Sequence, residues 1–169
     1  SLRSEAVCFV VSAIKGIHDI HIDENTISYA VVNASGSEDP NFTMYAHMTL
    51  DVPFTAEAST FEDGTDIIII LTTSSHPTST VATSFINSQQ AKLNASRLPS
   101  TFESMLANAK DAWEQKLSKV EVTHTDKEAV KMFYAALYRC FLFPQTFYEM
   151  DSNNEPIHYN TITRSSAPG

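Results

Sequence analysis

Histidines and carboxylates are the side chains most able to do chemistry here, so their spacing comes first. His18 and His21 lie three apart in a stretch that reads as a strand, which points them to opposite faces; only a bulge would let both ligate one ion. His47, His76, His124 and His158 each stand alone. None has the spacing of a metal site, so all six read as solvated or hydrogen-bonded imidazoles. Asp19, Asp23 and Glu24 form one acidic cluster, and Glu62, Asp63 and Asp66 a second. Oxygen donors at such spacing can hold calcium, but neither cluster follows the EF-hand loop, and solvated turns account for both. Ser74, Ser75 and Ser79 lack the GxSxG elbow of a nucleophilic serine. Cys8 and Cys140 lie far apart and outside any CxxC pair, and Cys140 reads as a buried free thiol on an apolar helix face. Tyr134, Tyr138, Phe147, Tyr148 and Tyr159 can stack on sugar rings, although Tyr134 and Tyr138, placed on a helix, read better as packing groups.

The totals narrow the function classes. In 169 residues there is room for one ordinary domain, or for a small domain and the start of another. Charged residues make up 18% and hydrophobic ones 43%, which is a globular and not a disordered composition. A net charge of −9 argues against nucleic acid and anionic membranes, which require basic patches. The four glycines form no GxGxxG or GxxxxGK[ST] phosphate loop. No apolar run is long enough to span a membrane, and Ser1 does not open a signal peptide. Sequons occur at Asn33, Asn41 and Asn94.

The elements that position these residues change character along the chain. Residues 6–11, 17–22, 26–32, 43–50 and 66–73 read as strands, the last through four consecutive isoleucines that suit a strand buried on both faces or in a sandwich core. Short strands broken by turn residues predict an antiparallel sandwich. Past residue 75 the pattern becomes helical. A short helix is expected over 87–95. A second is expected over 101–119, opened by a Ser100-Thr101-Phe102-Glu103 capping box. Its buried face should hold Phe102, Leu106, Trp113 and Leu117. A third, over 127–143, follows a Thr125-Asp126-Lys127-Glu128 box. It is apolar round most of its circumference and should be largely buried. Such a helix needs several partner helices, and the chain supplies two or three, so uncovered apolar surface is expected around Phe133, Leu137 and Phe141, with self-association as its consequence. The polar tail over 151–169 shows no period. The fold class is therefore α+β, strands first and helices after.

Phe133-Tyr134-Ala135-Ala136-Leu137-Tyr138-Arg139, followed by Phe143-Pro144, resembles the FYxALYR…P signature of glycoside hydrolase family 92, the calcium-dependent exo-α-mannosidases. Residues 83–94 look like the family's SFVSxExAxxNL segment, with Gln90 near its usual glutamate. Residues 109–122 look like AxxxWexxLsxIeV, and residues 41–54 like its strand ending in xPF. Two features depart from the pattern: Asp151-Ser152-Asn153 lacks the glycine of the usual Asp-Gly turn, and Trp113, the one tryptophan, rules out a WDT motif.

The resemblance implies an N-terminal β-sandwich joined by helices to an (α/α)6 catalytic barrel. Residues 1–75 would belong to the sandwich, 76–124 to linker helices and 125–169 to the start of the barrel, with the rest of a longer protein beyond. It further implies an inverting hydrolase of α-mannosides, of the α-1,2 type, acting on mannose-containing glycans in a secreted, periplasmic or cell-surface setting. The catalytic carboxylates and the calcium ligands would lie outside this chain, so no site residue is carried over. Two other readings stay open: a non-catalytic carbohydrate-binding sandwich and a protein-interaction domain.

Overall fold

Alternation of apolar and polar residues along β3 (Thr26–Val32) sets the core of the first unit. Ile27, Tyr29 and Val31 face one way, Ser28 and Ala30 the other. In a computed structural model describing residues 5–12, 16–32, 39–40, 42–60, 66–73, 77–143 and 145–168, β3 pairs antiparallel with β4 (Thr43–Leu50), placing Ile27 opposite Met48 and Val31 opposite Met44. β2 (Gly16–Ile22) and β7 (Ser79–Ser84) complete a four-stranded sheet in the order β2-β3-β4-β7. A second antiparallel sheet has β6 (Asp66–Thr73) between β1 (Glu5–Ser12) and β5 (Thr55–Thr60). The isoleucine run is thus the central strand of its sheet. Ile27, Met48 and Leu50 form the buried cluster between the sheets, and Val11 of β1, Ile17 and Ile20 of β2, and Phe54 before β5 pack on it. This is the expected antiparallel sandwich, with helices following it.

Asp23 explains one acidic cluster. Its backbone closes the β2–β3 turn through Asp23 N to Thr26 O at 2.9 Å, and its Oδ1 accepts from Glu24 N at 2.8 Å. Glu62 and Asp63 of the other cluster lie outside the described residues.

Three helices follow, each capped from its own sequence. Asn87 caps α1 (Ser88–Ser96) by accepting from Gln90 N at 2.8 Å. Both expected capping boxes are corrected by one residue. The N-cap of α2 (Phe102–Leu117) is Thr101, not Ser100, and accepts from Ser104 N. The N-cap of α3 (Lys127–Cys140) is Asp126, not Thr125. The Asp126 carboxylate accepts from two successive N–H groups, of Glu128 and Ala129, and its charge favours the helix N-terminus, so it outcompetes a hydroxyl.

The chain divides into two compact units: Ser1–Arg97 with Tyr148–Gly169, and Leu98–Phe147. The second holds α2 and α3. Trp113 meets Tyr138 with ring centroids 4.5 Å apart. Tyr134 donates its hydroxyl proton to Val120 O at 3.0 Å, a packing role as expected.

The burial expected here is overturned. Neither helix has a fully buried residue. Phe102 is 61% exposed and Leu106 41%, while Trp113 and Leu117 are half-buried. Met132 is 72% exposed, and Cys140 is exposed, not a buried thiol. Two helices cover one stripe of each other and leave the remaining apolar surface without a second layer. Phe133 and Phe141 are accordingly uncovered, as expected, but Leu137 is half-buried.

The polar tail, read as aperiodic, is a small antiparallel sheet of β8 (Glu149–Met150), β9 (Pro156–Asn160) and β10 (Ser165–Pro168). Its turns carry their own local bonds. Asp151 Oδ1 accepts from the N–H groups of Asn153 and Glu155, and Asn154 takes φ 61°. Asparagine tolerates that left-handed conformation best after glycine, so the turn forms without the family's glycine.

The contrast in burial predicts a contrast in stability. Ile27→Ala removes a fully buried side chain and should cost about 2–5 kcal/mol in urea melts. Phe102→Ala should cost under about 0.5 kcal/mol, as exposed positions do. A large loss at Phe102 would show that α2 is covered in solution.

Candidate functional site

Glu149 is where three elements of the first unit meet. Its Oε1 accepts from Ser84 Oγ at 3.0 Å and from Phe85 N at 2.9 Å; its Oε2 accepts from Asn94 Nδ2 at 2.7 Å. Ser84 ends β7 and is 2% exposed. Asn94 lies on α1 and also donates to Thr83 O at 2.9 Å. One carboxylate therefore joins β7, α1 and β8.

Gln90 and Arg97 extend the clamp. Gln90, 6% exposed, donates to Met150 O at 2.8 Å and to Asn94 Oδ1 at 2.9 Å. A glutamate there would face the Met150 carbonyl as a second acceptor, so the amide is the residue that fits. Arg97, the C-cap of α1, donates to the carbonyls of Met150 and Asp151 and to Asn154 Oδ1. The chain leaves the first unit at Arg97 and re-enters it at Tyr148. These bonds tie the two crossing points together.

With three donors on its oxygens, Glu149 is a holding group. The sequon at Asn94 is likewise committed, since both amide hydrogens are used, and a glycan there would break the clamp. Asn33 and Asn41 lie outside the described residues.

A second polar anchor is Asp39, 1% exposed. Tyr159 of β9 donates to its Oδ2 at 2.6 Å, and Arg164 Nε lies 3.8 Å from its Oδ1. Phe42 stacks on Phe85 at 5.0 Å and tilts against Tyr159 at 5.9 Å. The bond to Asp39, with burial and the carboxylate's charge, pushes the Tyr159 phenol up from 10.0 to about 12.

The histidines do not converge on a metal. His18 Nδ1 pairs with Asp19 Oδ2 at 2.9 Å, His47 Nδ1 with Ser28 Oγ at 2.8 Å, and His124 accepts from Asp126 N. His158 sits opposite Ala167 in the tail sheet, and His76 lies outside the described residues. The reading of His18 and His21 is corrected, however. A bulge between them shifts the register, so they pair with Ala30 and Ser28 and share one face. Even so, no three His, Cys, Asp or Glu side chains come together to hold an ion among the described residues. Of the aromatics, Phe147 and Tyr148 are 69% and 52% exposed, just before the clamped β8.

Glu149, Asp39 and Arg97 were not singled out by sequence reasoning. None belongs to a motif, and the side-chain partners described for them lie 53 or more positions away. Only the stretch around Glu149 carried a signal, through its place just after the FYxALYR motif.

Two variants probe these anchors. Glu149→Ala strands a buried hydroxyl and two further donors, and should cost about 2–3 kcal/mol in urea melts; a loss under about 0.5 kcal/mol would show the clamp to be open. Tyr159 has a folded pKa above its unfolded value near 10, so its contribution is whole below about pH 10 and is lost as pH rises toward about 12. The stability gap between wild type and Tyr159→Phe should narrow across that window, and a gap independent of pH would contradict the Asp39 bond.

The comparisons with known proteins converge on one family. The profile of the glycosyl hydrolase family 92 catalytic domain matches residues 90–167. A solved structure of a family GH92 inverting mannosidase from Bacteroides thetaiotaomicron VPI-5482 superposes with a TM-score of 0.83 at 27% identity. That match covers 96% of this chain and 24% of the mannosidase chain, so this chain spans about a quarter of its length. No curated protein sequence matches. The matched stretch runs from Gln90 through both helices and the Glu149 clamp into the tail sheet, and the superposition extends to the sandwich, so the chain is similar to glycosyl hydrolase family 92 along nearly all of its length.

Proposed function

We propose that this chain is the sandwich and first helices of a longer calcium-dependent, inverting exo-α-mannosidase of the α-1,2 type, acting on mannose-containing glycans outside the cytoplasm. The observation that carries the reading is the superposition on an inverting mannosidase over 96% of the chain. Inversion requires two carboxyl groups on opposite sides of the scissile bond, one protonating the leaving oxygen and one activating water. The carboxylates whose contacts are described here have other work. Glu149 clamps β8, Asp39 anchors Tyr159, Asp126 caps α3, Asp51 accepts from Thr78 N, and Asp151 closes a turn. The catalytic pair is therefore assigned to the remainder of the longer protein. Among the described residues no group of three or more His, Cys, Asp or Glu side chains gathers, and the calcium ligands are assigned to the same remainder. The role of this chain is structural support.

The test is hydrolysis of an aryl α-mannoside with added calcium. The isolated 169-residue chain should release no mannose. It should scatter light as dimers or larger, because Met132, Phe143 and Phe147 leave apolar surface open. The longer protein should release mannose with inverted configuration. Calcium-dependent release by the isolated, monomeric chain would overturn the assignment, as would an inactive longer protein.

A further inference from the structure

The bulge in β2 builds another polar feature, on the sheet face that also carries Ser84 of the Glu149 clamp, since its lining residue Tyr45 pairs with Ser84. Asp19, at its centre, holds φ 53°, a left-handed conformation unusual outside glycine. Adding one residue to β2 turns His21 onto the same sheet face as Ser28, His47 and Tyr45. On that face Asp19, His21, Ser28, Tyr45 and Ser88, the first residue of α1, line a cavity of about 150 Å³. Ala30, fully buried, is the small residue that leaves the space.

The lining differs from the clamp in one decisive way. Around Glu149 every polar group has a protein partner. In the cavity the His21 ring and the Tyr45 and Ser88 hydroxyls make no side-chain hydrogen bond to a described residue. Ser28 Oγ is held by His47 Nδ1, which fixes its position. Asp19 is held in the same way by His18. Converging polar groups, two of them braced and three uncommitted, are what a small binding site requires.

The same groups select the ligand. No Lys or Arg lines the cavity and a carboxylate does, which disfavours an anion. One carboxylate, one imidazole and three hydroxyls supply mixed donors and acceptors, the complement of a ligand with several hydroxyls. The volume lies below the roughly 300–1,000 Å³ of sites for drug-sized molecules, so a single ring fits. We propose that this cavity binds one neutral sugar ring. The site lies within the first unit, and its occupancy does not depend on hydrolysis.

The experiment titrates methyl α-mannoside and methyl α-glucoside into the 169-residue chain while the imidazole C–H signals of His21 and His47 are followed by NMR. A saturable shift with Kd on the order of 1–10 mM is expected for a single small ring. Asp19→Asn and Ser88→Ala, both at exposed positions, should weaken it about tenfold. Lys131→Ala, at an exposed position of the other unit, should leave it unchanged. Far-UV circular dichroism of each variant shows that the fold is kept, and Ser88→Ala carries the test if Asp19→Asn disturbs the bulge. The absence of a saturable shift overturns the proposal. So does equal binding by both variants, or a shift produced by tetramethylammonium and not by the sugars. Because the readout is binding alone, it stands or falls separately from the mannosidase reading.

Discussion

The three hydrogen bonds on the Glu149 carboxylate are the constraint from which the order of the first unit follows. β8 is only two residues long and cannot hold its place by ladder bonds to β9 alone. Three donors from two other elements fix it, and Gln90 and Arg97 then seize the next two carbonyls. Bonds to a charged acceptor are roughly twice as strong as neutral ones, and inside a part-buried network each strengthens its neighbours. Leaving such donors unpaired is costly, which makes the arrangement all-or-none.

The clamp also explains how one unit can be interrupted by another. Fifty residues separate Arg97 from Tyr148, and closing so long a loop has an entropic cost that grows only slowly with its length. The Arg97 bonds across its mouth offset that cost locally. Those two helices follow a different physics. They are held by caps and by ring contacts such as Trp113 with Tyr138, and they leave aromatic surface open.

Polar groups are thus used in two ways in one unit. Around Glu149 and Asp39 they are matched donor to acceptor, which gives rigidity. Beside the β2 bulge they are gathered and left unmatched. The difference arises from one inserted residue: with strict alternation His21 would lie on the Tyr29 face, and the lining would lose its imidazole.

Local pattern was enough for much of this architecture. The alternation in β3 and β4, the apolar run of β6, the positions of three helices and the family signature in 133–139 are all properties of neighbouring residues, and they survive into the structure because secondary structure and capping act over a few positions. Which residue of each capping box acts was decided by the backbone conformation at Thr101 and Asp126. Burial belongs to tertiary structure. The periodicity of α2 and α3 shows which side chains share a face but not whether anything covers it, and here Phe102 and Met132 remain open. The tail strands have no apolar period because they are held by Asp39 and Glu149, more than a hundred positions and about sixty positions from their respective partners. Long-range polar pairing leaves no periodic trace in a sequence, since it needs one residue at each end and nothing between them.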